Sequence, residues 1–87
     1  MKIKSGFMLR EIAGQWVVVP LGARVVEFNS IMTLTESGAI LWKLMESGAN
    51  EDEMLEALRA EYDVDKELAK RDICSFVESI KEKGLCD

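Results

Sequence analysis

Histidine is absent from the 87 residues. That removes Ser-His-Asp and Cys-His arrangements, imidazole acid–base work and any histidine-containing zinc site. Cysteine is scarce, with only Cys74 and Cys86, and no C-x-x-C spacing marks a metal site. Cys74 reads as a small hydrophobe packed on a helix, and Cys86 as a free thiol near a frayed end. The glycines at 6, 14, 22, 38, 48 and 84 are dispersed and form no phosphate loop. There is one proline, no low-complexity stretch and no internal repeat. No apolar run approaches the roughly 20 residues needed to span a bilayer. The start lacks the apolar core of a signal peptide. These absences predict a cytoplasmic, non-membrane chain without a cofactor or a catalytic centre.

What is present is an ordinary globular composition, 48% hydrophobic and 31% charged. A chain this short predicts one domain over residues 1–87, burying roughly 60–65% of its unfolded surface. The net charge of −5 is unevenly spread: residues 1–50 sum to +1 and residues 51–87 to −6. An acidic C-terminal half repels phosphates and argues against nucleic acid as a partner. The carboxylates themselves fall mainly on helix faces and at helix starts, where solvation and capping account for them.

The first half reads as β. Phe7–Ile12 and Gln15–Pro20 form two strands around Ala13-Gly14, with Gly14 supplying the positive φ of a two-residue turn. If Ile12 opposes Gln15, then Phe7, Leu9, Trp16 and Val18 share the core face, and Met8, Arg10, Ile12, Val17 and Val19 the other. Leu21-Gly22-Ala23 reads as a turn and Val25–Phe28 as a short extended piece. Ile31–Leu34 makes the third strand, with Met32 and Leu34 on one side, Ile31 and Thr33 on the other.

The second half reads as α. Thr35 caps a helix over 36–46 whose apolar residues cover most of its circumference, which predicts contacts on more than one side. Gly48 stops it. Asn50 and Glu53 form a capping box for a second helix, with Met54, Leu55, Leu58 and Tyr62 as its apolar stripe. Asp65 is the candidate cap of a third helix over 66–83, in which Ala69, Ile73, Phe76, Val77 and Ile80 repeat at helical spacing. Gly84 ends it, with Leu85 folding back. The order is βββααα: an α+β, winged helix-turn-helix-like domain with a three-stranded antiparallel sheet followed by three helices.

Several segments in this order resemble the PqqD-like family, the peptide chaperones of pyrroloquinoline quinone biosynthesis, also called precursor-peptide recognition elements. They are Leu9-Arg10-Glu11-Ile12, Val17–Gly22, Leu34-Thr35-Glu36-Ser37-Gly38-Ala39 with Trp42, Glu61–Asp65, and Phe76 with Gly84-Leu85. Thr35 departs from the family's more frequent Asn, and both residues cap helices. The resemblance implies a non-catalytic binder of the leader segment of a ribosomally made precursor peptide. The leader would add as a strand to the third strand and be presented to a modifying enzyme, commonly a radical S-adenosylmethionine enzyme. The residues implied are Ser30, Ile31, Met32, Thr33 and Leu34 for backbone pairing, with Ile73, Phe76, Val77 and Ile80 as candidates for the opposing wall, some of which must also serve the core. Arg71, Lys70 or Lys83 are candidates to pair with leader carboxylates, the alternative being ordinary solvated basic side chains.

The alternative is a winged-helix nucleic-acid-binding or transcription-regulatory domain. Its third helix would carry a basic reading face. Here Lys66, Lys70, Arg71, Lys81 and Lys83 alternate with Glu67, Asp72, Glu78 and Glu82. A further alternative is a purely structural partner of a larger enzyme. An exposed strand edge also makes a homodimer a candidate state.

Overall fold

The computed structural model describes residues 2–27 and 32–86. Strands β1 (Phe7–Ile12) and β2 (Gln15–Pro20) pair antiparallel from Ile12↔Gln15 to Phe7↔Pro20. The turn takes two left-handed residues, Ala13 at φ 53° and Gly14 at φ 79°, the pattern of a type I′ hairpin. The sequence pointed only to Gly14. Strand β3 (Met32–Leu34) joins β2 antiparallel, with Trp16 opposite Leu34, so the sheet order is β1-β2-β3 and β2 is central.

Between β2 and β3 the chain makes one helical turn, α1 (Arg24–Glu27), where an extended Val25–Phe28 was expected. Phe28 lies outside the described residues. Three i→i+3 bonds wind this turn: Arg24 N–H to Leu21 O, Val25 N–H to Gly22 O and Val26 N–H to Ala23 O. Arg24 then anchors it, donating from Nε to Ser5 O at 3.0 Å and lying 5.7 Å from the centroid of the Phe7 ring. Val25 and Val26 are exposed, so no strand partner rewards their β preference. The architecture is thus α+β, with four helices among the described residues rather than the three expected.

The long helices follow their end signals. In α2 (Glu36–Ser47), the Gly38 N–H donates to the Thr35 hydroxyl at 3.1 Å, and Gly48 closes the helix at φ 93°. In α3 (Glu51–Glu61), both bonds of the Asn50/Glu53 capping box are made, at 2.8 and 3.0 Å. Asp65 occupies the cap position of α4 (Lys66–Glu82) but makes no capping hydrogen bond, so it contributes through charge alone. At the other end of α4 the Leu85 N–H reaches Ile80 O and the Gly84 N–H reaches Lys81 O, a Schellman pair around Gly84 at φ 70°.

The core centres on α2. Trp42 and Met45 are fully buried, and Leu41 and Ala39 nearly so. Val18, Met54, Leu58, Ile73, Val77 and Ile80 pack into the same cluster, with Phe7, Leu9, Met32 and Leu34 half-buried against it. The Phe7 ring meets Trp42 edge to face at 6.2 Å. Val17 is also buried, although it lies on the opposite face of the sheet. Its place in the middle strand, between Arg10 and Thr33, shields it from both sides.

Residues 2–6, unassigned from sequence, close the far end. The Ile3 N–H donates to Met45 O and the Lys4 N–H to Leu85 O, each at 2.9 Å, and Ile3 bridges Cys86. This reverses the expected roles of the cysteines: Cys86 is buried under the N-terminal segment, and Cys74 is exposed on α4. No helix among the described residues is long and apolar enough to cross a membrane.

Two stability predictions follow from local strain. Ala13→Asn relieves a left-handed alanine and is expected to stabilise by about 0.5–1 kcal/mol. Thermal unfolding should then rise by roughly 3–6 °C. The indole Nε1 of Trp42 is buried without a hydrogen-bond partner among the described residues. Trp42→Phe removes that donor, offsetting lost packing with relief of about 1–3 kcal/mol. Denaturant unfolding should place it within about 1 kcal/mol of the native chain, whereas Trp42→Ala loses about 3–5 kcal/mol.

Candidate functional site

Strand β3 is an edge. It pairs with β2 on one side and has no strand partner on the other among the described residues. In an antiparallel edge, every second residue turns its N–H and C=O outward, where another chain's backbone can satisfy them. The other edge, β1, carries Arg10 and Glu11, charges that discourage strand addition.

Beside β3 runs a groove of about 500 Å³, walled on its far side by α4. Its floor is apolar, formed by Leu34, Gly38, Leu41 and Phe76, and its rim carries Thr33, Ser37, Ser75, Ser79 and Asp72. The groove exists because α2 begins one residue after β3 ends. Thr35 is at once the linker and the N-cap, so the strand end, the first turn of α2 and the α4 face are held in one place. Lys83 reaches the groove indirectly, donating from Nζ to the Ser79 hydroxyl at 3.2 Å.

The residues singled out from sequence divide clearly. Ser30 and Ile31 lie outside the described residues. Met32 and Leu34 are half-buried against the core, and Thr33 is exposed. Of the four apolar α4 residues, Phe76 is half-buried and lines the groove. Ile73, Val77 and Ile80 are buried in the core cluster and take no part in the groove lining. Arg71 is exposed and also outside that lining. Sequence reasoning missed Asp72, Ser75 and Ser79, which with Phe76 form a strip at i, i+3, i+4 and i+7, beside the core stripe. Two serines four apart next to a phenylalanine are the signal that marks it. Gly38 and Leu41 were missed because both had been absorbed into the scaffold helix.

Next to the groove is a second hollow of about 310 Å³, sharing Thr35, Ser37, Leu58 and Asp72 with it and bounded by Tyr62 and Glu36. Partial desolvation of the Tyr62 phenol raises its pKa above the ordinary 10.0, and the nearby charges of Glu36 and then Glu61 add to the shift.

Tyr62 is the only tyrosine, so phenolate absorbance reads it directly. Its titration midpoint is expected above 10.0. Glu36→Gln should lower the midpoint without abolishing the shift, because desolvation is the larger cause. As pH rises past the ordinary value the unfolded chain ionises first. Tyr62's contribution to stability, complete below that pH, is then lost toward its folded pKa.

Comparison with known proteins gives the family. No curated protein sequence matches the chain. A solved structure described as "TbiB1 in Complex with the TbiA(beta) Leader Peptide" superposes with a TM-score of 0.77 at 28% identity, covering 98% of this chain and 93% of that one. Another, "Lasso peptide synthetase B1 complexed with the leader peptide", gives 0.74 at 21% identity, covering 97% and 93%, a likeness of fold. The family model "Coenzyme PQQ synthesis protein D (PqqD)" matches residues 15–85. The chain belongs to the PqqD family.

Proposed function

We propose that this protein binds the leader segment of a ribosomally made precursor peptide and presents it to a modifying enzyme, a radical S-adenosylmethionine enzyme being the first candidate. It performs no chemistry itself. The observation that carries this reading is the open edge of β3 running beside the groove of α4. A relative with 28% identity and the same fold is described in complex with a leader peptide. Strand addition supplies affinity through the backbone, and side-chain hollows beside the strand supply selectivity. Met32, Thr33 and Leu34 would pair with the leader backbone, continued by Ser30 and Ile31, while Phe76 with Ser75 and Ser79 forms the facing wall. Residues 1–87 act as one domain, in the cytoplasm.

A DNA-binding role is disfavoured by the surface of α4. Asp72 lines the groove, and Glu67, Glu78 and Glu82 alternate with its basic residues. Such a face does not gain the counterion release that drives duplex binding.

The test is a titration of isotope-labelled protein with the leader of a co-encoded precursor peptide. Amide shifts are expected at Thr33, Leu34, Ser75, Phe76 and Ser79. N-methylation of one leader nitrogen that faces β3 should weaken binding about tenfold, the loss of roughly one well-made hydrogen bond. Shifts confined to the β1 side of the sheet would overturn the proposed site.

A further inference from the structure

We propose that Gly38 is a specificity-determining residue: its missing side chain sets the depth of a hollow that receives one bulky apolar side chain of the bound strand. This rests on the leader-binding reading above and adds to it the size class of the anchoring residue. Gly38 sits in the first turn of α2, buried, with its N–H donating to the Thr35 hydroxyl. Its φ is not left-handed, so the backbone does not call for glycine there. Alanine is the better helix former at such a position. The reason for glycine therefore lies in the space around it.

A Cβ at position 38 would stand 3.3 Å from Thr35 Oγ1, 3.4 Å from Phe76 Cε1 and 3.5 Å from Leu34 Cβ. Leu34 belongs to β3 and Phe76 to α4, so this point is where the two walls of the groove meet its floor. The contacts to Phe76 and Leu34 are ordinary van der Waals distances. A methyl group needs Thr35 Oγ1 to yield a few tenths of an ångström, a small shift of the cap bond that this oxygen accepts from the Gly38 N–H. A longer side chain would occupy the groove from below. The floor that glycine leaves open is lined by Leu34, Leu41 and Phe76, while the hydroxyls stand at the rim. Leu34, Leu41 and Phe76 around that floor offer no hydrogen bond, and the Thr35 hydroxyl beside it already accepts from the Gly38 N–H, so the hollow favours an apolar tip. The rim and the β3 edge are left for the peptide backbone.

The experiment is selection of a displayed library of random peptides on the intact native protein, Gly38→Ala, Gly38→Leu and the double variant Gly38→Ala/Phe76→Ala. Denaturant unfolding of each variant is measured alongside. The native protein is expected to enrich peptides with Phe, Tyr, Trp, Leu or Met at one position. Gly38→Ala should shift that position to smaller apolar residues and weaken a large-anchor peptide about tenfold, with an unfolding midpoint close to the native one. Gly38→Leu should abolish enrichment and lower the unfolding midpoint, and the double variant should recover the large-residue preference. An unchanged size preference in folded Gly38→Ala overturns the role of Gly38 and leaves leader binding standing. Loss of stability in Gly38→Ala with unchanged selectivity assigns the glycine to Phe76 packing and also overturns it. No enriched peptide on the native protein overturns the leader-binding reading, and this inference with it.

Discussion

The enclosure of α2 is the constraint on which the rest depends. Trp42 and Met45 have no exposed surface, and the helix is covered by the sheet, by α3 and α4, and by the N-terminal segment bonded to Met45 O. Most small helices present one apolar stripe and leave the opposite face wet. Here burial runs round most of the helix, so the paired strands and the packed α3–α4 pair are both set against one rod. The edge strand inherits that order through a single connecting residue, Thr35. Its backbone is held in place before any partner arrives, which lowers the entropy lost on docking.

Local rules account for much of the fold. The hairpin register, the capping box at Asn50 and the glycine stop of α4 each depend on a few adjacent residues, and each is visible as a short pattern. The failures share a different physics. The α1 turn is held by Arg24 reaching Ser5 and Phe7, contacts across many residues that no local pattern encodes. Cys86 is buried by a single bridge to Ile3, too short to have a period. Ala13 takes a conformation that its side chain disfavours, because the strands on either side fix the turn.

The candidate site was legible in one half only. An edge strand ending at a helix cap can be read directly, and β3 with Thr35 conforms. The facing wall on α4 lies beside the hydrophobic stripe rather than on it. Hydropathy finds Ile73, Val77 and Ile80 because they are buried, and burial is what removes them from the groove. The wall combines a ring, two hydroxyls and a carboxylate, a mixture without amphipathic periodicity. A recognition surface built mainly on backbone groups leaves a weak compositional trace for the same reason.

The N-terminal segment has a consequence of another kind. Because Ile3 pairs with Cys86 and Lys4 bonds to Leu85, the polypeptide enters and leaves the molecule side by side. A unit with adjoining ends can be spliced into a surface loop of a larger protein as a closed insert, needing little slack on either side. The strand edge and its groove would travel with it unchanged.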